Sequence, residues 1–188
     1  MDLDGFPEQR LAAAETLYRI HRAVRGPWYF SGDGSGRFDP GAGVGACYLS
    51  PDPLGAWVES FRTPTLIEQD AVADRALFTV EPGRELRLAD VRAREALSFG
   101  VTASLSSGED YRPSQAFASQ ATQAGFDGIL YLVRHDPAAE LRGVALFGPE
   151  GPAAEGDGRW PAGQDLPIPA ELIAAAGAQF GYVVLPRP

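Results

Sequence analysis

DYRPSQAFASQATQAGFDGILYLVRHDP, residues 110–137, sets two kinds of local order end to end. Residues 113–124 are rich in Ala, Gln and Ser behind a proline, which predicts a helix opened at Pro113 and ended by Gly125. Three residues later GILYLV, 128–133, is an unbroken apolar run closed by the charged Arg134, the pattern of a central strand.

The rest of the chain adds elements around that pair. LYRIHR (17–22) alternates, with Leu17, Arg19 and His21 on one face and Tyr18 and Ile20 on the other, as in a half-buried strand. GACYLS (45–50) and GVALFG (143–148) read as further strands. PDPLGAWVESF (51–61) opens with Asp52 and two prolines and carries Leu54, Trp57, Val58 and Phe61 at helical spacing. PEQRLAAAET (7–16) predicts a helix, and ALFTVEP and ELRLADV predict a hairpin across Pro82-Gly83. Residues 149–168 read as an exposed loop, followed by a helix over 169–179 and a last strand, GYVVLP. Strands and helices mix without regular βαβα alternation, so the fold class is α+β and a doubly wound sheet is disfavoured.

The chain has 188 residues, the length of a single domain over 1–188. A net charge of −9 argues against direct nucleic-acid binding, while one or two local arginines would still hold a small anion. The single cysteine, Cys47, excludes an internal disulfide and makes a cysteine-based metal site untenable, and no metal is expected. The acidic start MDLDGFPEQR lacks the apolar core of a signal peptide, and no apolar run reaches the ~20 residues of a membrane span. The expectation is a soluble, cytoplasmic protein with no membrane association.

No Walker loop, G-x-S-x-G or H-E-x-x-H is present. PWYFSGDGSGRFDP (27–40) contains G-x-G but does not open a helix, so it is no dinucleotide fingerprint of the Rossmann kind. What remains is a set of polar residues on elements that read as buried: Arg19 in a strand, Arg37 after the glycines, Tyr48 in a short strand and Glu59 in an amphipathic helix. Taken alone, each reads first as structural, Arg19 as a salt-bridge partner and Glu59 as a solvated helix position; their order and spacing together say more.

Taken in order, LYRIH, GSGRFDP, CYLS, AWVESF, the stretch 110–137 and GVALFG resemble the RES domain, the toxin of many bacterial toxin–antitoxin pairs. The likeness runs over about residues 17–148. It implies an ADP-ribosyltransferase-like fold, two facing, bent antiparallel sheets with helices and an NAD cleft between them. It implies NAD as substrate, cleaved at the nicotinamide–ribose bond by hydrolysis or phosphorolysis, and an Xre-like helix-turn-helix antitoxin as partner. Carried over by position, the family's arginines fall on Arg19 and Arg37, its tyrosine on Tyr48 and its glutamate on Glu59. Many members carry a serine where this chain has Val133; Ser114 is a substitute candidate, or simply a residue of a helix N-terminus.

Those residue types suit the implied chemistry. A carboxylate at Glu59 stabilises the positive charge that develops on ribose as nicotinamide leaves. Arg19 and Arg37 offer parallel donors to a pyrophosphate, in a chain poor in lysine. Tyr48 can stack on nicotinamide, and Trp28, Tyr29 and Phe30 line the same cleft or pack a core. The glycines of 32–36 would let backbone lie against a dinucleotide. Two other outcomes stay open on the same scaffold: transfer of ADP-ribose to a host protein, or a degenerate domain that binds a nucleotide or partner without turnover, which Val133 favours.

Overall fold

The apolar run 128–133 does become a strand, Gly128–Leu132, and it lies in the middle of a five-stranded sheet. In chain order the elements of the computed structural model are β1 (Glu8–Leu11), β2 (Leu17–Arg22), β3 (Tyr29–Phe30), β4 (Val44–Leu49), α1 (Pro53–Phe61), β5 (Leu66–Glu68), α2 (Gln69–Ala73), β6 (Arg75–Val80), β7 (Leu86–Asp90), α3 (Ser104–Ser107), α4 (Arg112–Gln123), β8 (Gly128–Leu132), β9 (Arg142–Pro149), β10 (Gly151–Pro152), β11 (Gln164–Pro167), α5 (Ala170–Phe180) and β12 (Val183–Leu185). The structure describes residues 2–156 and 158–187. The one-domain reading also takes in Met1, Asp157 and Pro188, which lie outside the described residues.

The large sheet runs β1-β7-β8-β9-β4 and a smaller one runs β11-β6-β2. Strand alternation sorts their side chains into layers. Leu130, Val144 and Leu146 of the large sheet meet Leu17, Phe78 and Val80 of the small one in a core between the sheets. Their alternate neighbours Ile129, Tyr131, Ala145 and Phe147 face outward onto Phe117, Ala118 and Ala121 of α4. Ile20 and Leu77, on the outer face of the small sheet, pack with Trp57 and Val58 of α1 and Leu172 of α5. The order is therefore helix, sheet, sheet, helices. Within the large sheet β7 and β8 run parallel, and the other pairs are antiparallel.

Three local expectations are corrected. Residues 8–11 form β1, paired antiparallel with β7 from Glu8↔Ala89 to Leu11↔Leu86, so an available sheet edge overrides the helix-forming composition of 7–16. β6 and β7 do not form a hairpin; Gly83 turns the chain at φ +71° from one sheet to the other. The segment 149–168 is not simply an exposed loop, because β10 pairs with β3, β11 pairs with β6, and Trp160 is buried 4.4 Å from the Phe30 ring. Trp28 and Phe30 fill the end of that same inter-sheet core, so of the three aromatics Trp28–Phe30 only Tyr29 is left at a surface.

Candidate active site

Helix α1 exists where it does because Asp52 caps it, accepting from the Leu54 N–H at 2.7 Å, and Pro53 fills its first position. Gly55 lets it press onto Ser50, where an added Cβ would lie 2.2 Å from the hydroxyl. With Trp57 and Val58 buried in the α1–α5 core, the next residue, Glu59, turns to the opposite side. The helix stops at Arg62, which holds φ +53° and ψ −133°, a backbone region costing a non-glycine residue about 1–3 kcal/mol. Its N–H donates to Val58 at 2.9 Å, and the Tyr182 hydroxyl donates to its carbonyl at 2.6 Å. The strain leaves the Arg62 side chain beside Glu59.

Glu59, Arg62 and Tyr48 stand between two chambers. The larger, about 370 Å³, runs along β2 beyond the Tyr18–Ser50 bridge and is lined by Arg19 and Tyr29 as well as these three. The smaller, about 30 Å³, adds Arg37, Tyr111, Tyr131, Arg134 and His135. Burial pushes the Glu59 carboxyl above the ordinary carboxylate range, against the pull of Arg62, the Tyr131 hydroxyl and Arg37. Burial likewise raises the Tyr131 and Tyr48 phenols, which stay neutral at pH 7. His135 moves down, through burial first and then through Arg134, Arg62 and Arg37, so it too is neutral there.

The glycine-rich segment is held by the protein itself. Buried Asp39 accepts from the Gly36 N–H at 2.8 Å, the Ser31 hydroxyl at 2.9 Å and the Tyr48 hydroxyl at 3.1 Å. Tyr48 in turn accepts from the Phe38 N–H at 2.8 Å, and Gln115 of α4 donates to the carbonyls of Gly34 and Gly36. A Cβ on Gly36 would lie 2.2 Å from the Asp39 carboxylate and 2.6 Å from the Tyr48 hydroxyl. Close approach to these two side chains, rather than to a ligand, is what requires glycine there. The result fixes Tyr48 and delivers Arg37, whose guanidinium lies 4.4 Å over the Tyr111 ring and donates to the Leu105 carbonyl at 3.3 Å.

Arg19, Tyr48, Glu59 and Tyr29 therefore meet at the large chamber, and Arg37 joins Glu59 and Tyr48 from the other side. Arg19 and Arg37 do not form one clamp; Tyr48 lies between them, and Arg19 donates to its carbonyl at 2.9 Å. Ser114 is not brought to either chamber. It is fully buried, and its hydroxyl donates to the Leu105 carbonyl at 2.7 Å, the same oxygen that Arg37 uses, so its part is to position the segment behind Arg37. Val133 also lines neither chamber and packs in the α1–α5 core. Sequence reading missed Arg62 and Tyr131. Arg62, three residues beyond Glu59 at a helix end, was findable by spacing; Tyr131 sat unmarked in an apolar run.

Two buried arginine donors in this region, Arg19 Nε and Arg37 Nη2, have no partner among the described residues; the Tyr131 hydroxyl makes no hydrogen bond of normal length but lies close enough to Glu59 to act on its carboxyl. Buried polar groups are nearly always satisfied, and unsatisfied ones collect where a ligand or water is to be held.

The family model described as RES domain matches residues 16–170. Among solved structures, the crystal structure of the M. tuberculosis MbcT–MbcA toxin–antitoxin complex is similar, with a TM-score of 0.64 at 21% identity over 88% of this chain and 90% of that one. No curated protein matches the sequence. The α+β, two-sheet fold implied by the resemblance is the fold observed. Because the matched region covers well over half of the sequence and holds every residue gathered around Glu59, this chain belongs to the RES-domain family.

Proposed function

We propose that this RES-domain protein is a toxin that binds NAD+ and cleaves its nicotinamide–ribose bond. The observation that carries the reading is the position of Glu59 between an arginine-lined chamber and an aromatic one. The dinucleotide lies along the large chamber, which Tyr48 and Glu59 both line, and the smaller recess, too small for a nicotinamide ring, backs Glu59 with aromatic side chains. Arg19 and Arg62 hold the pyrophosphate in the large chamber, with Tyr29 against the adenine. Tyr48 stacks on nicotinamide, and Arg37 reaches the ribose beside it.

As the glycosidic bond breaks, its electron pair leaves with nicotinamide and positive charge grows on the ribose carbon. The Glu59 carboxylate stabilises that charge, in a site dry enough for the interaction to be strong. Water or phosphate then forms the new bond to that carbon. The neutral Tyr131 phenol faces Glu59 without competing for its charge, while the Tyr48 hydroxyl is committed to Asp39. Val133 weighs little against turnover, since its side chain reaches neither chamber. An Xre-like antitoxin would be the partner in the cytoplasm, its basic DNA-binding surface complementing a chain of net charge −9.

Mixing the protein with NAD+ should release free nicotinamide, and Glu59→Gln should slow that release about 10²–10³-fold. Undiminished nicotinamide release by folded Glu59→Gln, or none from the wild type, overturns the reading. Labelled NAD+ that marks a protein band instead would identify ADP-ribose transfer.

A further inference from the structure

All 16 cationic side chains of this acidic protein are arginines, and the large chamber gathers five of them with Glu59 as the one carboxylate in its lining. A pyrophosphate accounts for Arg19 and Arg62. Arg22, Arg25 and Arg75 remain in the lining, and none of them is among the charges that bear on Glu59. Arg22 lies three residues beyond Arg19 along β2, about 10 Å in extended chain, roughly the reach of a nucleoside.

Their arrangement is unfavourable in the absence of an anion. Arg22 and Arg75 are direct partners across the antiparallel β2·β6 pair, where like charges repel. A 3-10 turn, Ala23–Arg25, follows β2 and brings Arg25 onto the side of Arg22, because positions three apart eclipse in that geometry. Among the described residues no carboxylate lies within salt-bridge distance of any of the three; Asp74, next to Arg75 in sequence, is exposed and forms no ion pair. Arg75 is held in place by donating to the Ala71 carbonyl and by the Phe61 ring 4.9 Å from its guanidinium. Arg25 lies 5.1 Å over the Tyr29 ring.

We propose that Arg22, Arg25 and Arg75 form an anion subsite for a phosphate monoester on the adenosine ribose, so that the protein accepts the phosphorylated dinucleotide NADP+ as well as NAD+. The inference rests on the dinucleotide reading above. Three guanidiniums converging on one dianionic group satisfy both the charge and the donors, and arginine is the side chain used elsewhere to admit such a 2′-phosphate.

The test separates the two readings by using ligands that cannot react. Calorimetric titration with adenosine 2′,5′-bisphosphate and with adenosine 5′-monophosphate should show the bisphosphate binding at least about tenfold more tightly. Arg22→Glu should bring the ratio near one while leaving the monophosphate affinity within about twofold, and Arg25→Gln should reduce it in part. Both side chains are exposed, so folding is not at issue. The ratio of kcat/KM for NADP+ over NAD+ should fall with the binding ratio. Equal binding of the two nucleotides by the wild type, or a preference that survives Arg22→Glu, overturns the proposal. So does millimolar inorganic phosphate erasing the preference, which would assign the site to the free ion. Should neither dinucleotide be cleaved while the binding preference holds and Arg22→Glu removes it, the subsite stands and the cleavage reading falls.

Discussion

The arginines of β1 and β7 and the arginines of the cleft are the same residue type put to opposite uses. At the outer edge of the large sheet Arg10 pairs with Glu8 and Glu85, Arg87 with Glu8, and Arg84 with Asp127. Around Glu59 no salt bridge is found for Arg19, Arg37 or Arg62 among the described residues, although the carboxylate is close enough to feel two of them. The edge arginines have neutralised partners and face water, where such pairs contribute little. Of the cleft arginines, Arg37 is buried and Arg19 half-buried, each with a donor to spare, which costs stability and is kept only where something else fills those donors; Arg62 stands exposed at the rim. One set belongs to the fold and the other to a ligand.

Substitutions should separate the two sets, beginning with the group on which the cleft is centred. Glu59→Gln should lower kcat for nicotinamide release by about 10²–10³-fold, as removal of one preorganised charge-stabilising group does elsewhere. It should not lower the melting temperature. Because burial raises the Glu59 pKa, the folded protein retains that proton where the unfolded chain has released it, and wild-type stability falls as pH rises from the unfolded value toward the folded one. Glu59→Gln should flatten that fall, read as melting temperature against pH. Wild-type activity should decline on the acid side, starting at a pH above the ordinary carboxylate range. A melting temperature that drops sharply in Glu59→Gln would make the residue structural and dissolve the contrast.

Arg62→Gly comes next. It removes a guanidinium from both chambers and places a residue without a Cβ at φ +53°. We expect kcat/KM to fall about 10–100-fold while the melting temperature holds or rises. Unchanged kinetics would move Arg62 to the structural set. Asp39→Ala should follow, releasing the Gly36 N–H and the Tyr48 hydroxyl that Asp39 now accepts from. Leaving such donors buried costs about 1–3 kcal/mol, visible as a lower denaturation midpoint, with a weaker apparent KM for NAD+ as Tyr48 loosens. The smallest effect should come from Glu8→Gln at the sheet edge. Arg87 holds the Glu8 carboxyl below the ordinary range, so its contribution is present above the unfolded pKa and is lost as pH falls through the folded one. Its activity should match the wild type, with a barely measurable change in melting temperature at pH 7.

The same contrast shows how far the sequence could be read. Residues 110–137 announce α4 and β8 because their signals are local: a proline, a helix-forming run, a glycine and an unbroken apolar segment. Alternation in LYRIHR likewise sorts Leu17 from Ile20 between two cores correctly. The failures at 7–16 and at Pro82-Gly83 are failures of partner choice. A short segment takes whatever sheet edge the rest of the fold offers, and β1 exists because β7 has a free side.

What the sequence determined by itself, then, is the set of elements with strong local periodicity, the α+β class and the family to which the chain belongs. The positions of Arg19, Arg37, Tyr48 and Glu59 were legible because a resemblance carried them. Only the tertiary structure decided that Arg37 approaches Glu59 from the side opposite Arg19, that Arg62 and Tyr131 join them, and that Ser114 stays behind the wall. The physical reason is that a residue's type and spacing are properties of a few neighbours in sequence. Whether its charge finds an acid, water or an empty chamber depends on segments tens of residues away, brought together by burial that no local pattern records.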